Sequence, residues 1–185
     1  MTDLFHGELV RLTAEEPQTL AAAFARWGRD SEYARLLNDD PQRLWSEKKT
    51  KEYIEKDLDA DPLKEHFFTV RELAEDKLIG FVGLYSAWAQ GNAWVGIGLG
   101  EREYWGKGYG TDAMRLALRY AFMELNLHRV TLGVFEYNPR AIRSYEKAGF
   151  REEGRRRQAL LRSGRRWDEI EMGILREEWL KLNEK

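Results

Sequence analysis

The octapeptide YWGKGYGT at residues 104–111 holds the residues best suited to binding chemistry. Its three glycines in five positions permit backbone torsions closed to other residues and expose a run of backbone N–H groups. The first turn of a following helix adds unpaired N–H groups and a positive dipole end. Together these groups suit a pyrophosphate, and Lys107 and the Thr111 hydroxyl could add contacts to the same anion.

The spacing of these glycines excludes two well-known phosphate motifs. A dinucleotide-binding turn needs G-x-G-x-x-G, whereas residues 106–110 read G-x-G-x-G, and a P-loop needs GK[ST], which occurs nowhere in the chain. A tight turn that merely allows close packing stays open as the simpler interpretation of the same glycines.

A second block, NPRAIRSYEKAGF at residues 138–150, offers an amide and a phenol at helical spacing. Asn138 precedes Pro139, which is typical of a helix N-cap followed by proline at the first helical position. Tyr145 lies two turns later on one face with Ala141 and Ala148. On the residues alone, a simple cap and a core aromatic are the plainer interpretations.

The elements that must position these two blocks follow from hydrophobic periodicity. Helices are predicted at Pro17–Trp27, Glu47–Leu58, Thr111–Leu125, Asn138–Lys147 and Glu178–Leu182. Strands are predicted at Glu8–Leu12, Phe67–Arg71, Leu78–Tyr85, Ala93–Leu99, His128–Phe135, Phe150–Leu161 and Trp167–Leu175. The pattern predicts one mixed α/β domain spanning residues 1–185.

Composition narrows the class further. The 185 residues include 43% hydrophobic and 34% charged side chains, which is ordinary for a globular protein with a solvated surface. The absence of Cys excludes disulfides, thiolate metal sites and Cys nucleophiles. His6, His66 and His128 stand at no metal-ligand spacing, so we expect no metal. With no signal-like start and no apolar run of about 18 residues, we expect a cytoplasmic protein that neither crosses nor binds a membrane.

The strand Ala93–Leu99, the turn YWGKGYGTDAM and the block at 138–150 resemble the GNAT superfamily of N-acetyltransferases. More narrowly, they are similar to the branch of ribosomal-protein and spermidine N-acetyltransferases, and the resemblance covers about Gly7 to Leu175. It implies a GNAT fold, in which a mostly antiparallel mixed sheet, flanked by helices, splays open around acetyl-CoA. The residues that it implies for cofactor binding are Ile97, Gly98, Leu99, Gly106, Lys107, Gly108, Tyr109, Gly110, Thr111 and Asn138.

The resemblance also implies a reaction, the direct transfer of an acetyl group from acetyl-CoA to an amine. Tyr145 matches the tyrosine that protonates the departing thiolate, and a phenol with an ordinary pKa near 10 is protonated at neutral pH. A backbone N–H near Leu99 could polarise the thioester carbonyl. The identity of the general base is left open. Trp94 stands where many relatives carry Glu, and the nearby Glu101 and Glu103 are interpreted either as turn residues or as bases.

The acceptor is the least determined feature. Asp30, Glu32, Asp39 and Asp40 could form an acidic lip for a cationic amine, or simply an exposed loop. Gly96, Gly98 and Gly100 could leave room for a bulky acceptor or a longer acyl chain. A protein N-terminus, a polyamine and other small amines all stay open.

Two other functional classes, nucleic-acid binding and non-catalytic acyl-CoA binding, are alternatives to an acetyltransferase. Seven arginines in residues 151–166 could contact nucleic acid, but the interleaved acids favour a solvated hairpin surface, and we expect no nucleic-acid partner. A non-catalytic acyl-CoA-binding or regulatory domain on the same fold is the alternative function. Homodimers are common among relatives, so a homodimer is also considered.

Overall fold

The strands of this protein form one mixed sheet in a computed structural model that describes residues 3–58 and 65–184. Within this part of the chain the sheet has seven strands in the order β1-β2-β3-β4-β5-β7-β6. Their bounds are β1 (Val10–Thr13), β2 (Glu65–Glu72), β3 (Leu78–Ala87), β4 (Asn92–Leu99), β5 (Arg129–Phe135), β6 (Arg151–Arg162) and β7 (Arg165–Leu175). All neighbours are antiparallel except β4 and β5.

Helices cover both faces of this sheet. They are α1 (Pro17–Trp27), α2 (Ser31–Leu37), α3 (Glu47–Leu58), α4 (Tyr109–Met123), α5 (Pro139–Ala148) and α6 (Arg176–Asn183). No helix in the described ranges is long and apolar enough to cross a membrane. Nor do these ranges contain a group of three or more His, Asp or Glu side chains that could hold a metal ion.

The parallel strands β4 and β5 diverge, as the resemblance to GNAT proteins implies. They pair with each other only over residues 92–94 and 129–131. Beyond these residues β4 continues to Leu99 and β5 to Phe135 without pairing with each other. The sheet is therefore open between the ends of these two strands. Each strand leaves backbone groups facing the gap, and α4 and α5 follow directly after the open ends.

Side-chain alternation along β4 separates two packing layers. Ala93 and Val95 belong to the main core under α4, whose Ala113, Ala117 and Ala121 are fully buried and allow close approach to the sheet. The opposite face holds Gly96 and Gly98 and lies under the aromatic cluster around Trp27, Tyr33 and Phe81. A ligand in the gap therefore meets different side chains from the two faces.

Helix α2 was not predicted from the sequence. Its N-cap is Asp30, whose carboxylate accepts hydrogen bonds from the backbone N–H groups of Glu32 and Tyr33 at 2.9 and 3.2 Å. This cap was the available signal, since an Asp followed by Ser and Glu is typical of a helix start. The sequence interpretation assigned Asp30 to an acidic lip and so missed the helix.

The arginine-rich hairpin is a charged surface, and three of its seven arginines form ion pairs with carboxylates in the described part of the chain. Arg155 contacts Glu152 at 2.6 Å, Arg151 contacts Glu178 at 2.7 Å, and Arg156 pairs with Glu169. Arg162 donates to the backbone carbonyl groups of residues 38–40, which ties the hairpin tip to the segment after α2. This pairing supports the solvated-surface interpretation of the run.

Candidate active site

A cleft of about 440 Å³ opens where β4 and β5 part. Nine of the predicted site residues line it, namely Ile97, Gly98, Leu99, Gly106, Gly108, Gly110, Thr111, Asn138 and Tyr145. The side chains of two others do not, because Lys107 is exposed at the surface and Tyr109 packs edge-on against Tyr104 with ring centroids 4.9 Å apart. The two sequence blocks, 27 residues or more apart in the chain, thus meet at one site.

The glycine turn presents unpaired backbone donors to this cleft. Gly106 and Gly108 have φ of 73° and 98°, a left-handed region that disfavours side chains, and Gly108 is the N-cap of α4. The first intrahelical bond runs from Asp112 N–H to Gly108 O at 3.0 Å. The N–H groups of residues 109–111 therefore have no helical partner and sit at the positive end of the helix dipole. This arrangement fits a pyrophosphate.

Four basic side chains line the same cleft, and sequence reasoning missed all of them. Arg115 comes from α4, and Arg140, Arg143 and Lys147 come from α5. None of them forms an ion pair with a carboxylate within the described residues. The three on α5 follow one another at spacings of three and four residues on one helix face, which was the signal available in the sequence for them.

The acidic side chains of the cleft lining are Glu8 and Asp112. Asp112 is buried, and its Oδ2 accepts hydrogen bonds from the backbone N–H groups of Leu9 and Val10 at 2.8 and 3.1 Å. It therefore fastens the start of β1 to the first turn of α4. The Thr111 hydroxyl lies 2.8 Å from the Ser144 hydroxyl and so joins α4 to α5.

The backbone of β4 turns its free edge towards the gap. Gly100 N–H donates to Ile79 O in the direction of β3, so alternation along the strand points the N–H groups of Ile97 and Leu99 away from β3. The Leu99 carbonyl accepts a hydrogen bond from Trp105 Nε1 at 2.7 Å. The amides of an extended ligand such as pantetheine fit this edge, with the Leu99 N–H available to a carbonyl oxygen.

Asn138 can serve as a helix cap and as a ligand-binding residue at once. Its Oδ1 accepts a hydrogen bond from Ala141 N–H at 3.2 Å, which confirms the predicted N-cap. Its Nδ2 has no partner among the described residues, and Asn138 lines the cleft. The amide group therefore keeps a donor for a bound molecule.

Tyr145 places a free phenol in the cleft. Its ring packs against the main core and lies edge-on to Phe150, with centroids 6.1 Å apart. Its hydroxyl has no hydrogen-bond partner in residues 3–58 and 65–184, yet it is not sealed from the cleft. Burial raises the pKa of Tyr145 to about 12, so the group carries its proton throughout the neutral range.

Neither acid after β4 is free to act as a base. The Glu101 carboxylate is mostly buried and accepts hydrogen bonds from Trp27 Nε1, at 2.8 Å, and from Arg26. Burial acts to raise the pKa of Glu101, but these bonds outweigh it and the pKa lies below its usual value. Glu103 pairs with Lys77 at 2.5 Å. Both side chains are turn residues held by ion pairs, and neither lines the cleft.

Two of the three glycines around the end of β4 do not leave empty space. A Cβ added at Gly98 would lie 2.7 Å from the Phe81 ring and 2.9 Å from the Tyr33 hydroxyl, and one at Gly100 would overlap the Trp27 indole at 2.0 Å. The expectation that these two glycines make room for a bulky acceptor is wrong, because aromatic side chains from β3, α1 and α2 fill that room. Only Gly96 faces open space, with Tyr85 at 4.0 Å.

Two of the four acids that were expected to form a lip are held in ion pairs. Asp30 and Glu32 both pair with Arg102, the latter at 2.8 Å, and this guanidinium lowers the pKa of Asp30 to about 2. The Arg102 guanidinium also lies 5.3 Å from the centre of the Trp105 ring. These contacts attach the N-terminus of α2 to the turn that follows β4, so the two carboxylates are structural.

Comparisons with known proteins agree with this geometry. Residues 9–151 match the family described as Acetyltransferase (GNAT) domain. The probable N-acetyltransferase YjcK of Bacillus subtilis is 40% identical over 109 residues, 58% of each chain, and the N-acetyltransferase YnaD of the same organism is 29% identical over 84% of this chain and 91% of its own. The structure of spermidine N-acetyltransferase from Vibrio cholerae in complex with CoA and spermine superposes with a TM-score of 0.81, at 28% identity over 92% of this chain and 98% of that one.

The fold and the cleft therefore define an acyltransferase that uses acetyl-CoA. The chain belongs to the GNAT acetyltransferase family, and its splayed mixed sheet is the GNAT fold.

Proposed function

We propose that residues 1–185 act as one cytoplasmic domain that transfers an acetyl group from acetyl-CoA directly to a primary amine. The observation that carries this proposal is the pair of features at the gap in the sheet. The free N–H of Leu99 faces it from β4, and the unpartnered hydroxyl of Tyr145 faces it from α5.

Different residues on the cofactor side of the cleft bind different parts of acetyl-CoA. The free edge of β4 at residues 97–99 suits the pantetheine amides, and the N–H groups at 109–111 suit the pyrophosphate. Arg115, Arg143 and Lys147 supply positive charge for phosphates. The Asn138 Nδ2 adds a donor beside them.

The reaction requires one carbon–sulfur bond to break and one carbon–nitrogen bond to form. The lone pair of a neutral amine attacks the thioester carbon, the Leu99 N–H stabilises the carbonyl oxygen, and Tyr145 gives its proton to the sulfur as it departs. The nitrogen loses one proton, which returns through water to the tyrosyl oxygen. Water is included because neither Glu101 nor Glu103 reaches the cleft, Asp112 is held by Leu9 and Val10, and Glu8, next to Leu9, stands at the start of α4 on the proposed pyrophosphate side.

The test is a thiol-release assay with acetyl-CoA and a panel of primary amines, comparing wild type with Tyr145→Phe. Loss of a general acid should lower kcat by about 10²- to 10⁴-fold and leave the KM for acetyl-CoA within about two-fold. Tyr53→Phe is the matched control, since that phenol is exposed on α3 and does not line the cleft. Equal kcat in Tyr145→Phe and wild type would remove Tyr145 from the mechanism.

The alternative, a non-catalytic acyl-CoA-binding domain, makes a different prediction in the same experiment. It predicts that acetyl-CoA raises the melting temperature while no amine in the panel releases thiol. The unpartnered Tyr145 hydroxyl disfavours this alternative, because a binding domain has no use for a proton donor at the thioester.

A homodimer is likewise proposed for this chain and is tested by light scattering.

A further inference from the structure

The cleft has a second wall, formed by α2 on the face of β4 opposite to the main core. Tyr33, Leu36 and Leu37 of this helix line the cavity across from Gly98. Tyr33 belongs to the aromatic cluster with Trp27, whereas Tyr145 packs against the main core. The two phenols therefore approach the gap in the sheet from opposite faces.

The Tyr33 hydroxyl is a polar group without a partner in an otherwise apolar wall. The residue is 8% exposed, and its hydroxyl lies 2.9 Å from the position of a Cβ added at Gly98. The hydroxyl forms no hydrogen bond within the described residues, yet its oxygen is not sealed off. Burial raises the pKa of Tyr33 above its ordinary value, so the group is a neutral phenol at working pH. A buried phenol normally finds a partner, which here points to a ligand in the cleft.

The charges around α2 are either paired with other residues or lie outside the cleft lining, as Asp39 and Asp40 do. Asp30 and Glu32 pair with Arg102, and the acids of the cleft lining, Glu8 and Asp112, belong to the β1 and α4 side. The free cations of the lining, such as Arg143, sit on α4 and α5. The described part of the α2 wall thus presents two leucines and one hydroxyl, and no carboxylate that could bind a second ammonium group.

We propose that Tyr33 holds the acceptor amine through its phenolic oxygen, and that Leu36 and Leu37 select an amine attached to an apolar group over a polyamine. This inference rests on the proposed function and names its substrate class.

The chemistry of a neutral amine explains the role of the phenol. The nitrogen has two N–H donors and one lone pair, and only the lone pair takes part in the attack on the thioester carbon. The Tyr33 oxygen accepts one N–H and so orients the lone pair, while the phenol keeps its own proton. The alkyl or aryl group next to the nitrogen then lies against the leucines, where removal of apolar surface from water favours binding.

The first experiment compares wild type and Tyr33→Phe with isoamylamine as the acceptor. Loss of one hydrogen bond should raise the KM for the amine by about 3- to 10-fold and leave the KM for acetyl-CoA within about two-fold. Calorimetric titration of isoamylamine into the enzyme with bound CoA should show the same fold-loss of affinity without catalysis. Tyr53→Phe again serves as the control, and a thermal melt checks that Tyr33→Phe is folded.

The second experiment tests the apolar selection. Wild type should show a higher kcat/KM for isoamylamine than for spermidine. Leu36→Glu adds a carboxylate to the wall and should shift the ratio of these two values towards spermidine by about five-fold, the effect of one charge pair near 4 Å in water.

Each result decides a separate point. Unchanged amine KM and affinity in Tyr33→Phe would overturn the role of Tyr33, and a wild-type preference for spermidine would overturn the apolar selection. Acetylation of neither amine, nor of any other in the panel, would remove the proposed function itself together with this inference.

Discussion

The two walls of the cleft are built on opposite principles. The cofactor wall combines backbone N–H groups at the start of α4 with the side chains of Arg115, Arg143 and Lys147, all of which suit anions. The acceptor wall, on α2, is apolar apart from the Tyr33 hydroxyl. Backbone N–H groups are fixed by the course of the chain, whereas side chains on a short helix can be replaced without disturbing the fold.

The walls also differ in what holds them. The backbone of the cofactor wall is shaped locally, by the left-handed glycines at 106 and 108 and by the Asn138 cap, and Asp112 then ties it to Leu9 and Val10. The acceptor wall depends on distant residues. Arg102 binds the N-terminus of α2, and Tyr137 and Arg162 from beyond β5 bind backbone carbonyls of Arg35 and residues 38–40. The comparison predicts that mutations in the first wall change acetyl-CoA binding, while those in the second change amine use.

The largest expected effect in this comparison comes from Gly108→Ala in the cofactor wall. A left-handed φ costs a residue with a Cβ about 1–2 kcal/mol, and relaxation of the turn would misalign the N–H groups of α4. We expect the KM for acetyl-CoA to rise about ten-fold, measured by thiol release. Gly164→Ala is the matched control, because Gly164 has the same left-handed geometry in the β6–β7 turn, with no atom near its added Cβ. An equal change in both variants would mean that strain, and not the anion site, is responsible.

A smaller effect is expected from Gly98→Ala in the acceptor wall. The new Cβ would press on Phe81 and the Tyr33 hydroxyl, and overpacking of this kind costs about 1–3 kcal/mol. We expect a melting temperature lower by about 2–4 °C per kcal/mol and an amine KM raised about three-fold or more. Gly96→Ala, on the same face of β4 with open space around it, should change neither quantity. If Gly96→Ala is the more damaging variant, the acceptor path lies along β4 and not beside α2.

The smallest effect is the predicted absence of any loss of activity between neutral pH and pH 10. The pKa of Tyr145 is raised to about 12, so its proton is present through pH 10, and kcat/KM for the amine should rise as the amine deprotonates and then level off. Because the folded-state pKa exceeds the unfolded value, the associated stability is present below pH 10 and is lost as pH rises through about 12. A pH–rate profile checks this, with melts at each pH. A descending limb below pH 10 would mean that Tyr145 titrates there or that another group is the acid.

The sequence by itself determined the backbone part of the cofactor wall, whereas its basic side chains Arg115, Arg143 and Lys147 were found only in the structure. The geometry at Gly106, Gly108 and Asn138 can be predicted because a left-handed turn and a helix cap are local features, which depend on a few neighbouring residues. The family resemblance added the GNAT fold, which the comparisons confirm.

Only the tertiary structure decided the acceptor wall. Helix α2 has seven residues, and its Asp30 cap was a local signal, but its attachment beside the cleft depends on Arg102, 72 positions from Asp30. The glycines of β4 appeared to offer space because the sequence does not show that Phe81 and Tyr33 occupy it. Whether a glycine leaves empty space depends on side chains from distant parts of the chain. Their positions are set by packing between elements and not by the residues beside the glycine.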